Sequence, residues 1–347
     1  MGLWLLLGVL MFLIQILLGG VTRLTGSGLS ITEWKPIHGI IPPLSRAAWE
    51  EEFKGYKLHD QYRLVNSDMT LDGFKKIFWW EFIHRFWGRL TGIAFLLPFA
   101  WFLWKRQIDW LLGQKLILLF LLGAIQGVIG WLMVASGLLP DTTFVNPVKL
   151  SVHLGMAALL VSVLLWVALQ TLSPPAEPRG SGKFRNYSIA LLVLVSVQVI
   201  YGGLMAGHHA ALYFPTWPKM GGAWFVNPVH PGFSLQEFFY NVTLIQTTHR
   251  CLAYLILLAV LLYWFRFRKT PKTRWLGRFF HLMPLLVLLQ VTLGVLTLLF
   301  TQTHLPILLA ELHQLTGLTL LFVLVTVVYQ TVHAPKEVKL TGERPAL

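Results

Sequence analysis

Apolar residues fall in long runs along this chain, broken by short polar or basic gaps, and the runs are too long to be strands. They stand at about 2–20, 79–103, 114–136, 149–172, 187–206, 243–265, 279–302 and 307–332. A membrane-spanning helix needs roughly 20 apolar residues, so the pattern predicts eight of them. Between them it predicts two long loops, 21–78 and 207–242, and shorter connections elsewhere. Composition agrees: of 347 residues 55% are hydrophobic and 12% charged, with a mean hydropathy of +0.63. This excludes an ordinary soluble domain and predicts an all-α membrane protein. No cleavable signal is evident, because no basic segment precedes residues 2–20 and no small-residue cleavage site stands out.

The net charge of +13 invites a nucleic-acid reading, but its distribution argues for a lipid bilayer and against nucleic acid. Lys105, Arg106, Lys115, Arg179, Lys183, Arg185, Arg266, Arg268, Lys269, Lys272, Arg274, Arg278, Lys336, Lys339 and Arg344 lie in gaps after even-numbered helices or in the tail. The short gaps on the other side hold little beyond Lys149 and Lys219. This asymmetry places both termini in the cytoplasm. The only cysteine, Cys251, allows no intramolecular disulfide and no cysteine-based metal site.

The chain reads as a duplication. Gln15 to Gly20 ends the first helix as Gln198 to Gly203 ends the fifth. His84-Arg85 opens the second as His249-Arg250 opens the sixth. Gln126 and Gly130 mark the third, Gln290 and Gly294 the seventh, and His153 and His313 open the fourth and eighth. The separations are 183, 165, 164 and 160 residues. The expected architecture is therefore two pseudo-symmetric four-helix bundles. Residues 1–172 form the first half, 173–186 a cytoplasmic linker, 187–335 the second half and 336–347 a cytoplasmic tail. The loop 21–78, with Trp34, Pro36, Pro42, Pro43, Trp49, Phe53 and Tyr56, is expected to set its aromatics at the membrane interface and cap the first half. The loop 207–242, with Tyr213, Pro215, Trp217, Pro218, Trp224 and Pro228, is its counterpart.

Four histidines, His84, His153, His249 and His313, stand at matching places near the outer ends of their helices. Each has a small residue four positions on: Gly88, Ala157, Ala253 and Gly317. Four residues make about one turn, so the small residue is expected to clear space beside the ring. Ionisable groups at membrane depth are costly and functional by default. One such histidine is as easily an interfacial residue or a helix–helix hydrogen bonder; four at equivalent positions are far more specific. The other histidines, including His38, His59, His208, His209 and His230, fall in loops or near helix ends and read as solvated or interfacial. Zinc favours compact ligand sets with carboxylates or thiolates. Two imidazoles on different helices of one bundle suit the axial positions of a haem iron. The expectation is one haem between His84 and His153 and another between His249 and His313.

Arg85 and Arg250 directly follow their histidines and are candidates for haem propionates, as is Arg89; the bland alternative is an arginine reaching for lipid headgroups. Glu81 lies one turn before His84, whereas Gln246 holds that place before His249. A carboxylate can move protons or stabilise positive charge and an amide cannot, so Glu81 is the candidate catalytic residue; the bland alternative is that it only binds a neighbouring arginine. Glu311, two residues before His313 where the first half has Ser151, is expected to point away from the histidine's face, towards a loop.

These residues resemble a known family. The run from Gly19-Gly20 through Thr22-Arg23, Thr25-Gly26 and Gly28 to Ser30, then Trp34-Lys35-Pro36 and Pro42-Pro43, is similar to the first outer segment of haem A synthases. Ile77 to Arg85, with Glu81-Phe82-Ile83-His84-Arg85, continues the match. The resemblance covers nearly all eight helices and is closest to the long-loop subtype of mitochondria and many bacteria. It implies oxidation of a methyl group of haem O to the formyl group of haem A, for terminal oxidases, by successive hydroxylation. It also implies substrate haem at His84 and His153, a resident haem b at His249 and His313, and Glu81 as the acidic residue of the reaction. It further implies haem O delivered by haem O synthase, and an electron donor that the sequence does not name. Some members carry a cysteine pair in the first outer loop; this chain has none.

Two other functions use paired histidines. A diheme b-type cytochrome would carry electrons but has no need for a carboxylate in one half only, nor for a large lid. A haem transporter or chaperone would bind haem but release it. A homo-oligomer is compatible with the pattern. The expected location is the cytoplasmic (inner) membrane of a bacterium, with the haem sites towards the outer face.

Overall fold

The computed structural model describes residues 1–33, 38–172, 182–224, 226–227, 232–270, 274–303 and 306–332. Trp34, Lys35, Pro36, Arg179, Pro228, His230, Lys272 and the tail 336–347 lie outside the described residues. The helices are α1 (Gly2–Leu24), α2 (Arg46–Lys57), α3 (Asp60–Val65), α4 (Leu71–Trp104), α5 (Trp110–Gly137), α6 (Pro147–Leu172), α7 (Gly182–Gly207), α8 (Glu237–Tyr240), α9 (Val242–Phe267), α10 (Arg274–Leu299) and α11 (Pro306–Val332). Among the described residues eight are long and apolar enough to cross a membrane: α1, α4, α5, α6, α7, α9, α10 and α11. The all-α membrane class and the eight expected helices are there.

Side-chain caps fix several of the starts. Thr70, Asp109 and Asn241 accept hydrogen bonds from the amides of Gly73, Leu112 and Leu244. Asn146 accepts from Val148 and Lys149, with Pro147 at the first helical position. Two boundaries differ from the sequence reading. α7 begins at Gly182, inside the segment read as a linker; 173–181 lies outside the described residues. α4 begins at Leu71, well before residue 79, because the first loop folds onto its opening turns. There Phe53 of α2 stacks on Phe74 at 5.0 Å and Trp49 meets Phe78 edge-on at 4.9 Å. Tyr56 is fully buried, its hydroxyl donating to Gln61 and accepting from Asn66. Trp49, Phe53 and Tyr56 thus pack with Phe74 and Phe78 into a small core over the start of α4, which removes apolar ring surface from water.

Helix pairings repeat along the chain. α1 packs on α4 and α6, and α5 on α6; likewise α7 packs on α9 and α11, and α10 on α11. The first four and last four membrane helices meet where α6 packs on α7 and α11, and α1 on α11. Ala168, Leu164, Val161, Leu324 and Val327 lie in this shared core. In their most apolar stretches α6 and α11 bury 44% and 67% of residues, against 6% for α4 and α5, so α6 and α11 are central and α4 and α5 peripheral.

Candidate functional site

The four histidines meet in two pairs. The rings of His249 on α9 and His313 on α11 stand 6.4 Å apart between centroids, their planes 73° apart. Two metal–imidazole bonds of about 2 Å each, with two ring radii, add up to roughly 6 Å, so the spacing fits two axial ligands on one iron. His84 on α4 and His153 on α6 are electrostatic neighbours in the same way. Among the described residues no group of three or more His, Cys, Asp or Glu could hold a bare metal ion, which leaves the histidines as pairs.

The space at the rings comes from an unexpected source. Gly88, one turn after His84, faces the amide of Gln15 on α1, and Gly317, one turn after His313, faces that of Gln290 on α10. The rings instead meet glycines of the adjoining helix. A Cβ at Gly19 would lie 3.1 Å from His84 Nε2, at Gly130 2.8 Å from His153 Cε1, at Gly202 3.7 Å from His249 Cε1 and at Gly294 2.8 Å from His313 Cε1. Space beside a histidine in a packed bundle is set by the neighbouring helix, not by its own. The signal stood in the sequence: Gln15–Gly19, Gln126–Gly130, Gln198–Gly202 and Gln290–Gly294 share one spacing, each on a helix beside a histidine helix. In the sequence alone this spacing marks only the duplication.

Each of these glutamines reaches its histidine. Gln15, Gln126 and Gln198 donate to the backbone carbonyls of His84, His153 and His249 at 3.2, 3.0 and 3.1 Å. The amide nitrogens of Gln126, Gln198 and Gln290 also stand 3.2, 3.4 and 3.4 Å from a ring nitrogen of His153, His249 and His313. His313 Nδ1 lies 3.1 Å from the backbone carbonyl of Gln290. The four amide oxygens and His249 Nδ1 are buried with no hydrogen-bond partner.

Glu81 is 2% exposed and fully engaged. Its Oε1 pairs with Arg85 at 2.6 Å, while its Oε2 accepts from the Ser30 hydroxyl at 2.7 Å and the Ile31 amide at 2.8 Å. Arg85 also donates to the carbonyl of Ile31 at 2.9 Å. Glu81 and Arg85 thus clamp the first loop onto α4. In the second set the uncharged Gln246 donates to the Phe214 carbonyl at 3.0 Å, and Arg250 donates to the Phe214 and Thr216 carbonyls. The arginine after each histidine therefore pins the long loop above it. Arg89, one turn further along α4, is half-buried among its own partners.

Glu311 faces α1 rather than a loop. A Cβ at Gly20 would overlap its carboxylate, and Arg23 is its charged neighbour. Arg23 also donates to the carbonyl of Ala206 at 2.9 Å. The equivalent contact between α6 and α7 joins Gly203 to Ser151. A glycine on α1 admits a carboxylate where its counterpart on α7 admits only a hydroxyl.

The chain was compared with known proteins. The model of a family described as cytochrome oxidase assembly protein, COX15-CtaA, matches residues 2–325. A protein of Nitrosomonas eutropha named Heme A synthase is 42% identical over 331 residues, covering 92% of this chain and 90% of the relative. One of Methylobacterium nodulans with the same name is 44% identical over 88% of this chain and 85% of the relative. A third, of Parvibaculum lavamentivorans, is 44% identical over 79% and 80%. With matched residues spanning both histidine pairs and both loop clamps, the chain belongs to the COX15-CtaA family, that of the haem A synthases.

Proposed function

We propose that this chain oxidises a methyl group of haem O to the formyl group of haem A, with the substrate haem between His84 and His153 and a resident haem b between His249 and His313. The observation that carries the reading is the 6.4 Å pairing of His249 with His313 in a chain whose relatives bear the name Heme A synthase. The recurring helix pairings support two pseudo-symmetric halves, 1–172 and 187–335, one for each haem. The basic gaps support a bacterial cytoplasmic membrane with both termini inside and both haems towards the outer face.

Turning a methyl group into a formyl group is a four-electron oxidation, in two successive hydroxylations followed by loss of water from a geminal diol. Each hydroxylation inserts one oxygen atom, either from dioxygen, with two electrons from a donor and two protons turning the second atom into water, or from water, with two protons released and two electrons passed to an acceptor. A haem b supplies one-electron chemistry when bound. The chain's own residues do the rest. His84 and His153 orient the porphyrin, and Gly19 and Gly130 leave their rings room. Glu81 holds negative charge beside the substrate site and takes up a proton released there. Arg85 holds that carboxylate in place and ties it to the loop that closes the site from water. Gln246, in the second half, cannot titrate, which suits a site that only passes electrons.

Expression beside a haem O producer, followed by extraction and chromatography of the haems, tests the reading. Haem A or its alcohol intermediate is the expected product. Haem B alone would replace this function with that of a diheme b-type cytochrome.

A further inference from the structure

Resting on the reading that the first histidine pair holds the substrate haem, we infer that a cleft between α4 and α5 seats the isoprenoid chain that haem O carries and haem b lacks. The cleft opens the first bundle sideways to the bilayer, and the second bundle is closed at the matching place.

The two bundles repeat in sequence but not in closure. α9 packs along α10, whereas among the described residues their counterparts α4 and α5 have no such seam. They touch where Phe95 stacks on Phe120, 6.5 Å between ring centroids, about three turns along α4 from His84. Towards the histidines they part. There a cavity of about 190 Å³ lies between them, lined by Arg85 of α4, by Trp131 and Leu138 of α5 and by Ile31 of the first loop. Arg85, Gly92 and Phe95 follow one another at seven and three residues, which puts them on one side of α4. Phe120, Gly127 and Trp131, at seven and four residues, share one side of α5. Gly92 and Gly127 therefore stand in the two walls between the aromatic contact and the cavity. A Cβ at either would meet nothing within 4 Å. The cleft runs on into the site, because Gly130, three residues after Gly127, lies against the ring of His153.

The second bundle has Leu257 at the position of Gly92 and Val291 at that of Gly127. Gly123, which also faces open space, is matched by Val287, 1% exposed. Leu257 and Val287 pack into the shared core. Filled walls suit a porphyrin without a chain. A chain fixed to a porphyrin inside the bundle must instead leave between two helices. In lipid such an opening strands no apolar surface in water, so the cleft needs no cover.

Gly127→Val and Gly92→Leu give the first bundle the residues of the second. The test uses the purified full-length protein in lipid nanodiscs, its second site loaded with haem b, titrated with haem O and with haem B and followed by the absorbance of the bound haem. Each variant is expected to bind haem O about tenfold or more weakly, the cost of overfilling the space the chain needs, while haem B binding at the first site is unchanged. Haem O affinity equal to that of the unaltered protein, or equal losses for both haems, would overturn the inference. The haem b of the second site reports whether each variant is folded; should Gly127→Val lose it, Gly92→Leu on the opposite wall decides by the same criteria. If the unaltered protein takes up neither haem at the first site, the substrate assignment fails, and the inference with it.

Discussion

Gly294 on α10 sits against the ring of His313 on α11 so closely that a Cβ there would stand 2.8 Å from Cε1, nearer than real Cβ atoms come. Gly202 meets His249 at the same site, but its Cβ would lie at 3.7 Å, an ordinary contact. Alanine is the better helix former by about 1 kcal/mol, so the backbone gains from either change. Gly294→Ala is therefore expected to displace the His313 ring and strip haem b from the protein, whereas Gly202→Ala keeps near-normal haem content. The pyridine haemochrome spectrum of each purified variant gives the ratio. Equal haem in the two would show that ring clearance is not what these glycines provide.

Replacing His249 or His313 by alanine removes a ligand and with it the stabilisation that bound haem confers. At free ligand 100 times its Kd that stabilisation is about 2.7 kcal/mol. Both variants should lose haem b and melt at lower temperature. Haem b content unchanged in both would refute their assignment as its ligands.

Glu81 lies in a buried clamp with Arg85, Ser30 and the Ile31 amide, while Gln246 holds its loop through a neutral amide. Glu81→Gln preserves size and hydrogen bonding but cannot take a proton near neutral pH. Conversion of haem O is expected to fall about 10²–10⁴-fold while haem binding persists. Gln246→Glu should leave conversion largely intact. The haem A to haem O ratio in membranes of each variant decides. Near-normal conversion by Glu81→Gln would remove Glu81 from the chemistry and leave it a loop clamp; equal losses in both variants would undo the division of labour.

Topology is open to labelling. Cys251 is exposed, so Cys251→Ser provides a silent background. A cysteine at Asp68, exposed between α3 and α4, should react with an impermeant maleimide from the outer side of intact cells. One at Lys269, exposed beyond α9, should react only after the cytoplasmic face is opened. Reaction of both from one side would be incompatible with the predicted orientation.

The sequence by itself determined the eight spans, because roughly 20 apolar residues in a row have no other stable use than burial in lipid. It also singled out four histidines, since a repeated ionisable residue in such a helix is visible without coordinates. Helix length and the repeat are local properties, and one chain displays them. Only the tertiary structure decided what each histidine faces. Gly19, Gly130, Gly202 and Gly294 are far from their histidines in the sequence, and His84's own Gly88 makes room for Gln15 instead. It likewise paired Glu81 with Ser30 and Ile31 of the first loop, and turned Glu311 onto α1 beside Gly20 and Arg23. Periodicity assigns a residue to a face of its own helix, but the partner of that face depends on which helices pack together and in what register, and that is fixed by the close packing of the whole bundle.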